Sequence, residues 1–528
     1  MTADSVTRPA RSFPAGQLWL YALPVLAAVD LGLMVLARTG VDLLRPRYLL
    51  IPGLVSFSIV GLSLAVARML ARGPAQVALI AVLLVMAVGT LGDASEALRY
   101  GSALHLIGGE PTVALLYVLA VTGPILAARQ PTRPLLAWCW FAGLTLGLLF
   151  AFTTVSIVLQ LGADLSPPIE PGIRSTPSQT RRPPDIYLLV MDKYTAPDLL
   201  ERHYDLRVAP FEAWLRAHDF LIPQAHRSNY TLTFLTLASM LNLRYVDDYP
   251  ARFGATARSR MLAAPEIENN RLAAFLKERG YRFIFLPSAF DVTRRNRYAD
   301  LQLPDPRDVR ADFTVAWYRS SALPVLHRFA CAALGCEAAR WPYISESADV
   351  LDAKFNRLAH LPRADRPTFV LAHLLLPHEP YLYRADCSRR PPYWPAADTG
   401  TAAGAVRAAY AAQVSCTNRK LQVLIEALQR AAPVPPIILI QGDHGHGRMG
   451  HPVLPLARLP DELVEERLSP FAAYSLPGLP RDSLHPGITP VNVMRLVLRH
   501  YLGADLPRLE DASYWSSTQH PYRFTRVQ

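Results

Sequence analysis

Long apolar stretches separated by short polar loops make up the first part of the chain. Each is long enough to cross a hydrocarbon core of about 30 Å. The stretches lie at residues 18–37, 48–67, 75–92, 111–128 and 135–160. A buried soluble helical domain rarely repeats stretches of this length, and a cleaved signal peptide would be shorter and single. We therefore predict a membrane domain, residues 1–161, with five transmembrane helices.

The arginines of the short loops predict which way these helices run, because Lys and Arg favour cytoplasmic loops. Three segments agree: those with Arg8 and Arg11, with Arg68 and Arg72, and with Arg129 and Arg133. The first loop, with Arg38, Arg45 and Arg47, favours the opposite orientation. The majority places the N-terminus inside, so five spans leave everything after about residue 162 outside the cytoplasm.

A proline-rich segment follows, which we predict to be a linker over residues 162–184. Its sequence, GADLSPPIEPGIRSTPSQTRRP at 162–183, has too few backbone donors and apolar side chains for a lasting helix or strand. We expect a semi-extended tether.

Short apolar runs then alternate with helical periods, from residue 185 to the end of the chain. The predicted strands are 185–192, 281–287, 368–376, 436–443 and 471–478, and the predicted helices are 209–218, 269–280, 404–431 and 491–503. Such alternation predicts an α/β domain, residues 185–528, with helices on both faces of a mostly parallel sheet. In such sheets the functional site lies at the carboxyl ends of the strands.

Composition adds two constraints. The net charge of +11 is spread along the chain without a basic block interleaved with aromatic residues, so nucleic acid is not an expected partner. Four of the five cysteines lie in the exported part, where an oxidising compartment favours disulfides. Three pairings are possible, and the short spacing favours Cys331–Cys336, which leaves Cys387–Cys416. Four free thiols are the alternative.

Three predicted strands end in groups that bind metal ions. The first ends in Asp192, another continues into His378, and the run PIILIQGD continues into Asp443 and His444. Carboxylate oxygen and imidazole nitrogen together suit Zn²⁺ or Mn²⁺. An Asp at one strand end is more often a turn or cap residue, but three such ends predict a shared metal site.

A nucleophile is available in RSNYTLTFLTLASMLN, residues 227–242, which begins polar and becomes a helix near Thr233. A hydroxyl there would be activated by a metal ion, and the helix N-terminus favours an incoming anion. The alternative is that Ser228, Thr231 or Thr233 is an ordinary N-cap.

Five motifs in this order resemble a known family: PDIYLLVMDKY, SNYTLTFLTLASMLN, HLLLPHEPY, ILIQGDHG and ITPVNVMRLVL. Together they resemble the sulfatase-like branch of the alkaline phosphatase superfamily. The most similar members are membrane-bound bacterial enzymes, including lipoteichoic acid synthases and phosphoglycerol or phosphoethanolamine transferases. The resemblance covers nearly all of 185–515, and the membrane anchor matches as well. It implies a bacterial inner-membrane protein with an extracytoplasmic, periplasmic catalytic domain.

The resemblance assigns roles by position. Asp192 matches the first metal-binding acid, Asp443 and His444 match the Asp-His ligand pair, and Thr233 matches the nucleophile, which also contacts the metal. His378 matches a substrate-side histidine that binds or protonates the leaving oxygen. Three residues just beyond the metal pair are candidates for contact with an anionic substrate group, although ordinary loop residues are the alternative: His446, Arg448 and His451.

Two departures from the pattern matter. Sulfatases need a Cys or Ser followed by Pro and Arg for conversion to formylglycine, whereas Thr233 is followed by Phe-Leu-Thr. Lys193 stands where a second metal-binding Asp is expected, which indicates one divalent ion (Mn²⁺ or Zn²⁺, with Mg²⁺ possible). Lys193 either offsets phosphate charge or points to solvent.

The expected reaction moves a phosphoglycerol- or phosphoethanolamine-type group from a membrane phospholipid to an envelope glycan or lipid through phosphorylated Thr233. The donor is expected to be a lipid because periplasm-like compartments lack nucleoside triphosphates. The alternatives are a phosphoric (or, less favoured, sulfuric) ester hydrolase with the same residues, and a non-catalytic envelope scaffold.

Overall fold

The computed structural model describes residues 15–39, 50–71, 73–100, 132–162, 172–176, 183–303, 347–361, 365–393, 403–447 and 456–527, with residues 122, 126, 317, 318, 320–324 and 326. The chain divides into two compact units. One comprises Met1–Asp164 and Arg310–Ser345, and the other comprises Leu165–Val309 and Glu346–Gln528. The first holds the apolar N-terminal part, and the second holds the alternating strands and helices.

The first unit contains long helices: α1 (Ala22–Thr39), α2 (Leu50–Leu70), α3 (Pro74–Tyr100) and α4 (Thr132–Gly162), with a 3₁₀ turn at Ala15–Tyr21. Three windows in its described part are long and apolar enough to cross a membrane: Gln17–Leu36, Pro52–Leu70 and Leu135–Val155. Large apolar side chains such as Phe57, Trp140 and Phe152 remain exposed on these helices, as expected where lipid rather than water surrounds them. The protein is therefore membrane-anchored.

The prediction of five spans is supported only in part. The expected third span, 75–92, lies in α3, but its apolar part, Pro74–Thr90, is shorter than the other three. Acidic residues at 93 and 96 end the apolar run there. The expected fourth span, 111–128, lies almost wholly outside the described residues.

The second unit is built on a central sheet. Its strands are β1 (Ile186–Met191), β2 (Phe220–Leu221), β3 (Arg282–Leu286), β4 (Leu301–Gln302), β5 (Thr368–Leu374), β6 (Tyr381–Tyr383), β7 (Arg389–Tyr393), β8 (Ile437–Gly442), β9 (Ala472–Ser475), β10 (Tyr514–Trp515) and β11 (Thr525–Arg526). Its helices are α5 (Pro197–Tyr204), α6 (Ala209–Ala217), α7 (Thr233–Asn242), α8 (Tyr249–Phe253), α9 (Ala264–Glu268), α10 (Arg271–Glu278), α11 (Ala348–Ala359), α12 (Ala403–Ala431), α13 (Asp461–Leu468) and α14 (Pro490–Leu502). Short 3₁₀ turns occur at Arg260–Leu262, Asp291–Thr293, Leu456–Arg458 and Arg481–Ser483.

Seven strands form the main sheet, in the order β2-β9-β8-β1-β5-β3-β4. The pairs β8/β1, β1/β5, β5/β3 and β3/β4 are parallel, and β9 joins β8 and β2 antiparallel. In register, Met191 lies beside Leu374 on one side and Gly442 on the other. The carboxyl ends of β1, β5 and β8 therefore coincide at one edge, as the sequence predicts.

The central strands are buried on both faces, since every residue of β1, β5 and β8 is buried. Continuous apolar sequence is typical of parallel strands covered on both sides. On one face the alternate side chains Leu188, Phe369 and Leu439 belong to a core that also includes residues of α7, α10 and α14. The α/β prediction with a mostly parallel sheet is confirmed.

Two features predicted between these elements can be followed in part. Part of the linker pairs with the segment that follows α14 in the same unit. The Thr176 amide donates to the Gly503 carbonyl (3.1 Å), and Ser175 forms a β-bridge with Ala504. Cys387 and Cys416 form a disulfide as predicted, whereas the expected Cys331–Cys336 pair lies outside the described residues.

Candidate metal and phosphoryl-transfer site

Asp192, Asp443 and His444 meet at the carboxyl edge of the sheet. Their ligand atoms all lie within 4.8 Å of one another, and all three side chains are buried. Asp192 follows β1 directly, and Asp443 and His444 follow the neighbouring strand β8. The sequence prediction that these strand ends converge is thus matched by the geometry.

The unsatisfied atoms of this cluster fit a cation. Oδ1 of Asp192 and Oδ2 of Asp443 are both buried without a hydrogen-bond partner in the described part of the chain. A buried carboxylate oxygen with no partner carries a large desolvation cost. A divalent ion would accept both oxygens at once, so the residues present are those a metal needs.

The pKa values of Asp192 and Asp443 also indicate that their negative charges are not balanced. Burial would raise the pKa of Asp192, but neighbouring histidines, His378 foremost, outweigh it and hold that pKa below its ordinary value. Burial and the charge of Asp192 then raise the pKa of Asp443 to about 7. Two buried carboxylates cannot both ionise at low cost unless positive charge joins them.

Glycines allow the chain to turn after β8. A Cβ on Gly445 would lie 1.8 Å from the backbone carbonyl oxygen of Glu466, and one on Gly442 would lie 2.9 Å from that of Tyr194. Neither position has room for a side chain. This close approach explains why the apolar strand is followed by glycines, and it fixes the backbone that carries Asp443 and His444.

Thr233 opens α7 and faces the cluster. Its Oγ lies 3.1 Å from His444 Nε2, and the N-cap position belongs to Leu232, which has no side-chain cap. The Ser228 hydroxyl donates to backbone carbonyls, and the Thr231 hydroxyl donates to the Ser516 carbonyl (2.8 Å). The N-cap interpretation is therefore wrong for all three residues, and of their three hydroxyls that of Thr233 contacts a side chain of the cluster.

The imidazole of His444 is held in one tautomer. Its Nδ1–H donates to the Gly445 carbonyl (3.0 Å), so Nε2 carries the lone pair. Burial lowers the pKa of His444 well below its usual range, which keeps the ring neutral. Nε2 receives both the Thr233 hydroxyl and a guanidinium nitrogen of Arg467 (3.0 Å). A neutral ring with its lone pair directed at two acids is the form that binds metal.

Lys193 does not point to solvent. Its side chain is 1% exposed, and Nζ lies 2.7 Å from Glu379 Oε1. Its backbone adopts φ +62, where few non-glycine residues are found. The amide of Lys193 donates to Asp443 Oδ1 (3.1 Å). The strained turn therefore orients the acid, and the ammonium lies beside the site with Glu379.

His378 lies on the loop after β5, partly exposed. Its Nδ1 donates to the Glu379 carbonyl and lies 3.6 Å from the Glu379 carboxylate. Burial would raise the pKa of Glu379, but His378 and Lys193 hold it well below its ordinary value. The His378 ring is thus partly exposed and lies next to an ionised carboxylate.

His446 is placed differently from the expectation of a substrate contact. It is buried, with Nδ1 2.8 Å from the Tyr204 hydroxyl and Nε2 2.9 Å from the Tyr381 hydroxyl. Tyr204 donates to Glu466, so Nδ1–H donates to Tyr204 and Nε2 accepts from Tyr381. Burial lowers the pKa of His446 to about 3. Both ring nitrogens thus have protein partners, while Arg448 and His451 lie outside the described residues.

Three residues of this region were not identified from the sequence: His373, Glu379 and Arg467. His373 is the penultimate residue of β5, with Nε2 3.6 Å from Asp192 Oδ2 and Nδ1 2.9 Å from Thr293 Oγ1. A histidine inside a fully buried strand was the signal available for it. Nothing in the sequence marks Glu379 or Arg467, because their contacts join distant segments.

The chain is similar to one family of known proteins and to several solved structures. The sulfatase family model matches residues 184–494. The C-terminal periplasmic domain of EcEptC from Escherichia coli in complex with Zn is 10% identical, with a TM-score of 0.43, covering 68% of this chain and 96% of that one. The soluble domain of lipooligosaccharide phosphoethanolamine transferase A from Neisseria meningitidis is 14% identical, with a TM-score of 0.40, covering 62% and 90%. The phosphonate monoester hydrolase of Agrobacterium radiobacter is 14% identical, with a TM-score of 0.39, covering 63% and 80%.

No curated protein sequence matches the chain significantly. Structural similarity at these identities describes the fold alone. The family model is more informative, because it extends over more than half of the 528 residues and includes the carboxyl ends of β1, β5 and β8. The chain therefore belongs to the sulfatase family of enzymes.

Proposed function

We propose that this protein is a metal-dependent transferase that moves a phospho-substituent from a membrane phospholipid to an envelope acceptor through a phosphothreonine at Thr233. The observation that carries the proposal is the position of the Thr233 hydroxyl. It lies at the N-terminus of a buried helix, 3.1 Å from His444 Nε2, beside two carboxylates with unsatisfied oxygens. Hydroxyl, ligand set and helix N-terminus together provide a nucleophile, its activation and an anion site.

Asp192, Asp443, His444 and Thr233 would hold the metal ion. When bound, the ion supplies positive charge that lowers the pKa of the Thr233 hydroxyl and offsets charge on phosphoryl oxygens. The absence of the Cys or Ser and Pro-Arg pattern after position 233 disfavours sulfate ester cleavage, because formylglycine cannot form there.

The residues then act in two balanced steps. In the first, Thr233 Oγ forms a bond to phosphorus, its proton passes to solvent, and the bond from phosphorus to the lipid alcohol breaks. His378 gives the departing oxygen its proton. In the second, His378 takes a proton from the acceptor hydroxyl, whose oxygen displaces Thr233 Oγ from phosphorus, and Thr233 Oγ regains a proton from solvent. The amides at the start of α7 face the charge that develops on the phosphoryl oxygens.

The membrane anchor supports a lipid donor. The described part of the chain has three helices long and apolar enough to cross a bilayer, so the enzyme and a phospholipid share the same surface. We propose that the catalytic domain faces the periplasm of a bacterial inner membrane, where nucleoside triphosphates are absent. An envelope glycan or lipid is the proposed acceptor.

The test uses the full chain in phospholipid vesicles that contain phosphatidylethanolamine or phosphatidylglycerol, with Mn²⁺ or Zn²⁺. Peptide mass spectrometry should find the headgroup phosphate on Thr233 and release of diacylglycerol. Thr233→Ala should form no adduct and retain its metal, whereas Thr231→Ala should still form it. A wild-type protein that never modifies Thr233, or a Thr233→Ala variant with unchanged turnover, contradicts the proposal. Adding a sugar acceptor separates transfer from hydrolysis.

A further inference from the structure

Arg467 is a buried cation in the last turn of α13. Its side chain is 2% exposed. Nε donates to the Thr231 carbonyl (2.9 Å), and Nη1 donates to the carbonyls of His446 (3.2 Å) and Gly445 (3.4 Å). These three bonds join the loop after β8 to the segment that precedes α7. They fix the guanidinium firmly enough that Nη2 has a defined direction.

Nη2 of Arg467 has fewer hydrogen-bond acceptors than hydrogens. It carries two hydrogens, and its one acceptor among the described residues is His444 Nε2, at 3.0 Å. No carboxylate in the described part of the chain lies within ion-pair distance of Arg467, although a buried guanidinium ordinarily needs a counter-charge. The charges of Asp443 and Asp192 favour the cation from nearby, but among the described residues no carboxylate oxygen bonds to Nη2.

The lone pair on His444 Nε2 cannot bind a metal ion and accept a hydrogen bond from Arg467 at the same time. Nδ1–H is already committed to the Gly445 carbonyl, so Nε2 has one lone pair. Once that lone pair binds a metal ion, it no longer accepts from Arg467 Nη2. Metal binding therefore releases an N–H donor that lies next to the Thr233 hydroxyl, because Oγ is 3.1 Å from the same nitrogen.

We propose that Arg467 is a catalytic residue that binds a phosphoryl oxygen through Nη2, and that metal binding makes this donor available. The ligand is a phosphate group, either a lipid phosphodiester or free phosphate. This inference deepens the proposed function and depends on it for the identity of the transferred group. Because the backbone carbonyls hold Nε and Nη1, the guanidinium keeps an Nη2–H group in a fixed direction toward one phosphoryl oxygen, which a flexible ammonium cannot do.

A purely structural role for Arg467 is the competing interpretation, because three of its bonds hold backbone carbonyls. Arg495 provides a matched control. It is also mostly buried, and among the described residues it donates to the carbonyls of Pro507 (2.7 Å) and Leu243 (2.6 Å) and to no others. Substitution at both positions separates the loss of backbone support from the loss of an anion-binding group.

The experiment measures the binding of inorganic phosphate and of orthovanadate to the full chain in detergent by calorimetry, with metal content determined on the same samples. Arg467→Lys should keep its metal and bind phosphate at least about tenfold more weakly, since a flexible ammonium does not hold an N–H group at the position of Nη2. Arg495→Lys should bind phosphate as the wild type does. Chelated wild-type protein should bind phosphate weakly, because Nη2 is then engaged by His444.

Phosphate affinity within twofold of wild type in metal-loaded Arg467→Lys and Arg467→Gln would overturn the inference. Loss of metal in Arg467→Lys would assign a structural role and would overturn it equally. A structure of the metal-loaded wild type with orthovanadate requires no variant: an anion oxygen should lie within hydrogen-bond distance of Nη2, and an anion bound elsewhere contradicts the inference.

The two proposals fail separately. Phosphothreonine at Thr233 with unchanged phosphate binding in the Arg467 variants would leave the proposed function standing and remove this inference. Weakened phosphate binding in those variants without any phosphothreonine would support the anion site and remove the two-step transfer.

Discussion

The second unit buries one acidic side chain and one acidic pair in opposite surroundings. Glu266 accepts from Arg244 (3.1 Å), Arg252 and the Tyr249 hydroxyl (2.8 Å), so its charge is compensated by protein groups. Asp192 and Asp443 lie beside each other and each keeps a buried oxygen without a partner in the described structure. The three side chains are all buried, but positive groups of the protein balance the charge of Glu266 and not the charges of the pair.

The difference separates an acid that stabilises the fold from acids that bind something else. A fully compensated buried carboxylate is part of the scaffold, and its removal takes one ion-pair partner from each arginine that contacts it. An uncompensated pair costs stability until a ligand arrives, which is the arrangement expected of a functional site. The predictions below test this distinction between Glu266 and the Asp192–Asp443 pair.

Removing one acid of the pair should have the largest effect. Asp443→Ala should lose the metal and lower turnover by at least about 10³-fold, because metal-supplied charge stabilises both steps. Glu266→Gln should keep its metal and retain turnover within about twofold at a temperature where it is folded. Metal analysis and lipid turnover on both variants check this. Normal metal content in Asp443→Ala would contradict it.

Moving the loop without changing a ligand should have a smaller effect. In Gly445→Ala the new methyl group would lie 1.8 Å from the Glu466 carbonyl oxygen, so the backbone that carries Asp443 and His444 must shift. We expect metal affinity to fall by about 10- to 100-fold, the range found when the support of metal ligands is disturbed. A competition titration with a chelating dye measures it.

Gly487→Ala is the control for that titration. Its added methyl group meets nothing closer than 3.9 Å, so metal affinity should not change. If the two alanine variants had equal affinities, the close approach at Gly445 would not matter for the site.

The smallest effect should appear in the stability of the chelated protein. Burial and Asp192 raise the pKa of Asp443 from 3.8 to about 7. The stability contributed by protonated Asp443 is therefore fully present below pH 4 and is lost as pH rises through about 7. Asp443→Asn should abolish this loss. Without metal, its free energy of unfolding at pH 8 should therefore exceed that of wild type by at most about 4 kcal/mol, with a higher melting temperature. The difference should disappear toward pH 4.

Glu266→Gln should show the opposite sign in the same melts. It removes the negative charge that compensates Arg244 and Arg252, so its melting temperature should lie below that of wild type at neutral pH. A chelated Asp443→Asn protein that melts below wild type at pH 8 would mean that the Asp192–Asp443 pair is compensated after all.

Much of the fold could be predicted because the relevant signals are local. Apolar runs bounded by turn residues located β1, β3, β5, β8 and β9 to within a few residues, and helical periods located α6, α7, α10, α12 and α14. The two-residue strands β2 and β4 lie toward the sheet edges and were missed. Tertiary pairing rather than local pattern forms such short strands.

The same distinction between local and tertiary signals applies to the site. Asp192, Asp443, His444 and Thr233 follow or begin predicted elements, so the convergence of strand ends places them together. The Lys193–Glu379 ion pair and the contact of Arg467 with His444 join segments that local pattern cannot relate. His446 is two positions after His444 in sequence, yet the turn at Gly445 places its side chain between the hydroxyls of Tyr204 and Tyr381.

Anomalous diffraction from crystals of the full chain grown with Mn²⁺ or Zn²⁺ tests the central claim most directly. We predict one strong peak at about 2.0–2.3 Å from a carboxylate oxygen of Asp192, Oγ of Thr233, a carboxylate oxygen of Asp443 and Nε2 of His444. A metal bound elsewhere, or these four side chains surrounding no metal at saturating concentration, would contradict the account.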